Sequence, residues 1–172
     1  MLTQARSFAL QAHGNQMYGN RPYSFHLDMV ADIVMPYGEQ AQIVAYLHDV
    51  VEDTSVSKEQ LKETFGDFVA DCVGLLTDEP GANRKERKAK TYQKLSLVSG
   101  STELALIVKA ADRLANVKAC IADNKQTLLQ VYSNEHATFK AAAYRTGLCD
   151  PIWAELDRLF KDIAPELANS NQ

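Results

Sequence analysis

A chain of 172 residues with 46% hydrophobic and 23% charged residues carries enough apolar side chains to close one core, which excludes a disordered chain or a small fold held by disulfides. The net charge of −4 argues against a broad nucleic-acid surface. No stretch approaches the roughly 18 consecutive apolar residues of a membrane span, and the opening MLTQARSFALQAHG lacks the basic start and apolar run of a secretory signal. The expectation is a cytoplasmic protein with neither membrane nor nucleic acid as partner.

Taken in chain order, residues 2–13 place Phe8, Ala9 and Ala12 at helical spacing, and GNQMYGNRP at 14–22 reads as a loop. A helix follows from Tyr23 to Met35, stopped by Pro36 and Gly38. The next, over 39–52, has an apolar stripe of Ile43, Val44, Leu47, Val50 and Val51. Its opposite face runs from Ala41 and Ala45 into His48, Asp49 and Glu52. Ser57 and Gln60 form a capping box that opens a short helix ended by Gly66.

Residues 67–77 predict another helix, DEPGAN at 78–83 a loop, and then come helices over about 84–98, 102–123, 126–146 and 151–163. No segment alternates with β-branched enrichment, so the expected fold is all-α. One domain over residues 1–165 accounts for the length, with no room for a second catalytic domain, and residues 166–172 are expected to fray after Pro165. Cys72, Cys120 and Cys149 are odd in number and widely spaced in apolar surroundings, which predicts reduced, buried thiols. RKERKAK at 84–90 reads as a solvated helix face or as a phosphate-attracting patch.

The chemistry concentrates where AYLHDVVEDT ends its helix. Carboxylates at the carbonyl end of a helix are unfavourable by up to about 1 kcal/mol each, yet Asp49, Glu52 and Asp53 sit there without a basic neighbour. His48 and Asp49 reach a single cation placed between them. Lys109, Asp112, Arg113 and Asn116 form a polar stripe in an otherwise apolar helix, and His26 stands among apolar residues at the start of another. Alone, each feature reads equally as a solvated face or a core histidine. Together, two imidazoles and two carboxylates suit one divalent ion such as Mn²⁺, Fe²⁺, Ni²⁺ or Zn²⁺, with coordination positions left for water and substrate.

His26, the His48–Asp49 doublet and Asp112 reproduce the H…HD…D order of the HD-domain metal-dependent phosphohydrolases. LHDVVEDT at 47–54, FGDFVADCV at 65–73 and IVKAADRLANV at 107–117 resemble the hydrolase branch of the RelA/SpoT enzymes, and at this length the stand-alone, MESH-type alarmone hydrolases. The resemblance implies an HD-type helical bundle that removes the 3′-pyrophosphate of guanosine tetraphosphate or pentaphosphate, with a small nucleotide as its partner. It implies His26, His48, Asp49 and Asp112 as ligands of a divalent metal, usually Mn²⁺. Glu52 and Asp53 match the catalytic pair that orients and deprotonates water, and Asn116 a substrate contact. Ala9, Ala12, His13 and Gln16 match an opening motif expected to support the site.

Three positions depart from that pattern. Tyr18 stands where the family commonly has an arginine packed against the base; Tyr18 would stack on a base and Arg21 restore the charge. Leu27 replaces the proline after the metal histidine, and Leu75 a common glycine. Tyr18 keeps open an HD phosphohydrolase acting on an adenosine alarmone, a nucleoside monophosphate or NADPH. A non-catalytic alarmone sensor is the alternative outside enzymes, disfavoured because both ligands and acid pair are present.

Overall fold

The computed structural model describes residues 1–169. Helix α1 (Leu2–His13) leads through a minimal hairpin, β1 (Met17–Tyr18) and β2 (Arg21–Pro22), into α2 (Ser24–Val34). A 3₁₀ turn at Met35–Tyr37 precedes α3 (Glu39–Leu47) and the single turn α4 (Val50–Asp53). Then come α5 (Lys58–Phe65), α6 (Asp67–Leu76), α7 (Arg84–Ser96), α8 (Leu104–Ala122), α9 (Gln126–Ala143) and α10 (Asp150–Asn169). The all-α expectation holds.

The order of the bundle follows from α8. Nearly every side of it is apolar or alanine, and thirteen of its nineteen residues are buried, so it has no solvent face to spare and must be enclosed. It contacts α2, α3, α6, α9 and α10. Ala105, Ala110, Ala111 and Ala115 let those neighbours come close, and Leu106 and Leu114 fill the gaps. Ala41 and Ala45 of α3 are fully buried for the same reason.

Helix ends follow local chemistry. The Ser57–Gln60 capping box opens α5, and Gly66, at φ 88°, turns the chain into α6. Arg145 closes two helices at once, donating to the Ala142 and Tyr144 carbonyls at the end of α9 and to those of Leu95, Ser96 and Val98 at the end of α7. The three cysteines are buried and unpaired.

Three expectations are corrected. The helix over 39–52 breaks at His48–Asp49 into α3 and α4. Residues 14–22 hold an antiparallel two-residue ladder, Met17 opposite Pro22 and Tyr18 opposite Arg21, too short to show alternation. The helix α10 continues through Pro165 to Asn169, where a frayed tail is expected from residue 166. Ile152, Leu156, Phe160, Ile163 and Leu167 carry one buried stripe past the proline, so packing holds the last turn that the missing N–H weakens. Residues 170–172 of the expected tail lie outside the described residues. No helix among the described residues is long and apolar enough to cross a membrane.

Candidate active site

The break between α3 and α4 brings the doublet together. In a continuous helix the two side chains diverge by about a hundred degrees; here Asp49 leaves helical geometry at φ −103°, ψ −3°. The His48 ring turns back so that its Nδ1 lies 2.6 Å from the Ala45 carbonyl. A carbonyl only accepts, so Nδ1 is the donor there, and Nε2 is the ring nitrogen that faces Asp49 Oδ2, at 2.9 Å. From α2, His26 brings its Nε2 to 3.3 Å from His48 Nε2 and 3.7 Å from Asp49 Oδ2. From α8, Asp112 Oδ1 comes within 3.2 Å of His26 Nε2 and 3.7 Å of His48 Nε2.

Four donor atoms from α2, α8 and the α3–α4 turn thus converge, with both imidazoles almost fully buried. His26, His48 and Asp49 present ligand atoms within 4.8 Å of one another. Burial opposes charge on His48, but Asp49 and Asp112 outweigh it and push its pKa well up. Burial likewise opposes charge on Asp112, yet the bonds from His26 and His48 hold its carboxyl well below the usual range. The cluster is a negative, oxygen-and-nitrogen-lined point, and its donor set fits a borderline divalent cation.

The supporting shell comes from the N-terminal segment. The Tyr23 hydroxyl donates to Asp49 Oδ2, and its ring stacks on His13 at 4.4 Å. His13 Nδ1 lies 2.8 Å from Gln16 Oε1, and the Gln16 amide donates to Asp53 at 2.9 Å. Gln16 thus reaches Asp53 directly, and His13, through Tyr23, reaches Asp49. Sequence reasoning missed Tyr23, although its place one turn before His26 puts it on the same side of the chain.

Glu52 stands at the mouth of the cluster, open to solvent on one side. Its Oε2 accepts the Asp78 backbone N–H at 2.9 Å. The walls around it strip enough water to raise its pKa, aided by the charges of Asp78 and Asp49 and opposed by that backbone bond and Lys109. A cavity of about 190 Å³ joins Glu52, Asp53, Asp112, Asn116, Lys88 and Lys109. Two wider hollows on the flanks of α7, of about 600 and 580 Å³, contain none of the four convergent donors.

The polar stripe of α8 divides. Lys109, Asp112 and Asn116 face the cavity, whereas Arg113 turns away to bond Tyr92 and Glu135 between the faces of Tyr132 and Phe139. Lys109 donates to the Leu76 carbonyl at 2.8 Å. Lys109→Met strands that buried acceptor and is expected to destabilise the fold by about 1–3 kcal/mol, measured by urea unfolding.

The basic run at 84–90 also divides. Lys88 lines the cavity and pairs with Asp78 at 2.6 Å, its pKa lowered by burial and by Lys109. Arg84 is held by Glu135 and Lys90 by Glu86, and Lys85 is exposed. Neither reading covers the whole stretch. Asn116 and Tyr18 line the cavity, but Arg21 does not: it pairs with Asp123 at 2.8 Å over the Phe25 ring. Leu27 is fully buried.

Residues 5–149 match the HD domain family. The chain belongs to the HD-domain family. Over 172 aligned residues this HD domain is 30% identical to the guanosine-3′,5′-bis(diphosphate) 3′-pyrophosphohydrolase of Aquifex aeolicus, covering 96% of this chain and 24% of that protein. A probable enzyme of the same name from Synechocystis is also 30% identical, over 96% of this chain and 23% of its own length. The chain spans about a quarter of the length of the curated relatives it matches. The fold agrees with a metazoan SpoT ortholog described as hydrolysing ppGpp, at a TM-score of 0.72 and 22% identity over 94% of both chains. A Listeria monocytogenes protein matches at a TM-score of 0.66 and 26% identity, over 83% of this chain and 97% of that one. The likeness extends beyond residue 120, into α9 and α10.

Proposed function

We propose that this HD domain hydrolyses the 3′-pyrophosphate of guanosine tetraphosphate or pentaphosphate, releasing pyrophosphate and GDP or GTP. The observation that carries the reading is the meeting of His26, His48, Asp49 and Asp112 donors beside a solvent-open Glu52 in one cavity with two lysines. The names of its Aquifex and Synechocystis relatives support the substrate class.

His26, His48, Asp49 and Asp112 would hold a divalent metal, with Mn²⁺ the ion implied by the resemblance. Such an ion supplies Lewis acidity at the phosphoryl group and makes water easier to deprotonate. Glu52, anchored by the Asp78 N–H, accepts the proton of the attacking water. The water oxygen bonds to phosphorus as the bond to the 3′-oxygen breaks. Asp53, tethered by Gln16, is the second carboxylate beside the attacking water, and the proton that Glu52 takes is the one that ends on the departing 3′-oxygen. Lys88 and Lys109 repel one another across the cavity, and a phosphate between them relieves that repulsion while offsetting its own charge.

Incubation with guanosine tetraphosphate and Mn²⁺, followed by anion-exchange separation, is expected to yield GDP and pyrophosphate in equal amounts. Orthophosphate as the product, or faster turnover of an adenosine nucleotide or NADPH in a parallel panel, overturns the assignment.

A further inference from the structure

His26 differs from His48 in how its ring is held. A metal-binding imidazole ordinarily donates its second N–H to a carbonyl or carboxylate, which fixes the ring plane. His48 has the Ala45 carbonyl for this. His26 Nδ1 is buried with no hydrogen-bond partner. The face of the His26 ring is covered by Tyr18, stacked on it with centroids 4.8 Å apart and planes within 16°, while Tyr23 meets the ring edge-on at 5.7 Å.

The Tyr18 hydroxyl reaches a second element of the cluster. It donates to Asn116 Oδ1 at 2.8 Å, while Asn116 Nδ2 donates to Asp112 Oδ1 at 2.6 Å and to the Asp112 carbonyl at 3.0 Å. An ionised Asp112 only accepts, so the amide must turn its nitrogen to Asp112 and its oxygen to Tyr18, which must then be the donor. The hairpin carrying Tyr18 is itself anchored to the end of α8 by the two-pronged Arg21–Asp123 pair, at 2.8 and 3.1 Å.

We infer that Tyr18 is a positioning residue of the metal centre: its ring orients His26, and its hydroxyl, acting through Asn116, orients Asp112. These are the two donors that do not come from the His48–Asp49 turn, and they lie on different helices, α2 and α8. One side chain on the hairpin therefore sets the distance between them. The inference rests on reading the cluster as a metal centre. It also reassigns Tyr18, since one ring face and the hydroxyl are engaged with the cluster rather than free for a base.

The test is calorimetric titration of Mn²⁺ into metal-stripped protein, with nucleotide kinetics measured alongside. Tyr18→Phe keeps the stack and loses the hydroxyl, and is expected to weaken Mn²⁺ binding about 10-fold; Tyr18→Leu loses both, and is expected to approach 100-fold. In an Asn116→Ala background Tyr18→Phe is expected to have no further effect, because the hydroxyl acts through that amide. Should Tyr18→Leu fail to fold, Tyr18→Phe and the Asn116 background carry the test. Unchanged Mn²⁺ affinity with a raised KM for nucleotide overturns the inference and makes Tyr18 a substrate contact. Undiminished loss in the Asn116→Ala background overturns the relay. Absence of Mn²⁺ binding by the unsubstituted protein instead removes the metal centre, and the inference with it.

Discussion

Asp49→Ala is expected to abolish metal retention and to lower turnover by on the order of 10³-fold or more, since Lewis-acid stabilisation is worth several kcal/mol and each 1.36 kcal/mol is tenfold. The size of the effect follows from where Asp49 sits. Its Oδ2 faces both His48 Nε2 and His26 Nε2 and takes the Tyr23 hydroxyl, so removal deletes a donor and releases the tyrosine that braces it. No neighbouring carboxylate replaces it: Glu52 is committed to the Asp78 N–H and Asp53 to Gln16. Thermal unfolding gives an independent measure. Metal at 100 times its Kd stabilises the unsubstituted protein by about 2.7 kcal/mol, and Asp49→Ala is expected to show no metal-dependent rise in Tm. A variant that keeps a full equivalent of metal and normal turnover contradicts the assignment.

Glu52→Gln is expected to retain the metal and to lose about 10²- to 10⁴-fold in turnover, the usual worth of general acid–base catalysis. The amide oxygen still accepts the Asp78 N–H, so the geometry persists while the base is gone. Surrounding protein raises the Glu52 pKa above the ordinary 4.5. The acid limb of the pH–rate profile is expected to vanish in the variant.

Stability moves the opposite way. A raised folded-state pKa means that folding favours the protonated carboxyl, so its contribution is fully present below the unfolded pKa and is lost as pH rises through the folded value. Near pH 7 the ionised Glu52 is a burden on the fold. The metal-free Glu52→Gln protein is expected to melt above the unsubstituted protein at pH 7, with the difference shrinking toward pH 4. Equal melting at both pH values removes the electrostatic account of this residue.

Much of this protein is legible in its sequence because the determining signals are local. Apolar residues at helical spacing give the helices, Ser57 with Gln60 and Gly66 mark the ends of α5, and the order His26, His48–Asp49, Asp112 singles out four side chains that converge. The same periodicity assigns Lys109, Asp112, Arg113 and Asn116 to one stripe, and there it fails. A helical stripe covers more than one neighbour, and only the packing of α7 and α9 decides that Arg113 enters their interface while the others face the cavity.

The break at Asp49 is likewise tertiary. Nothing in the residue types of AYLHDVVEDT forbids a continuous helix. The turn is fixed by partners far along the chain: Tyr23 holding Asp49, Asp78 holding Glu52 and Gln16 holding Asp53. The helix α10 shows the converse, because Pro165 signals a stop and the buried stripe ending at Leu167 overrides it. Sequence alone determined which atoms are available to bind and react, since composition and spacing are properties of the chain. Tertiary structure decided which of them meet, with Tyr18 bracing the cluster and Arg21 kept outside it, because convergence depends on contacts between segments up to about a hundred residues apart.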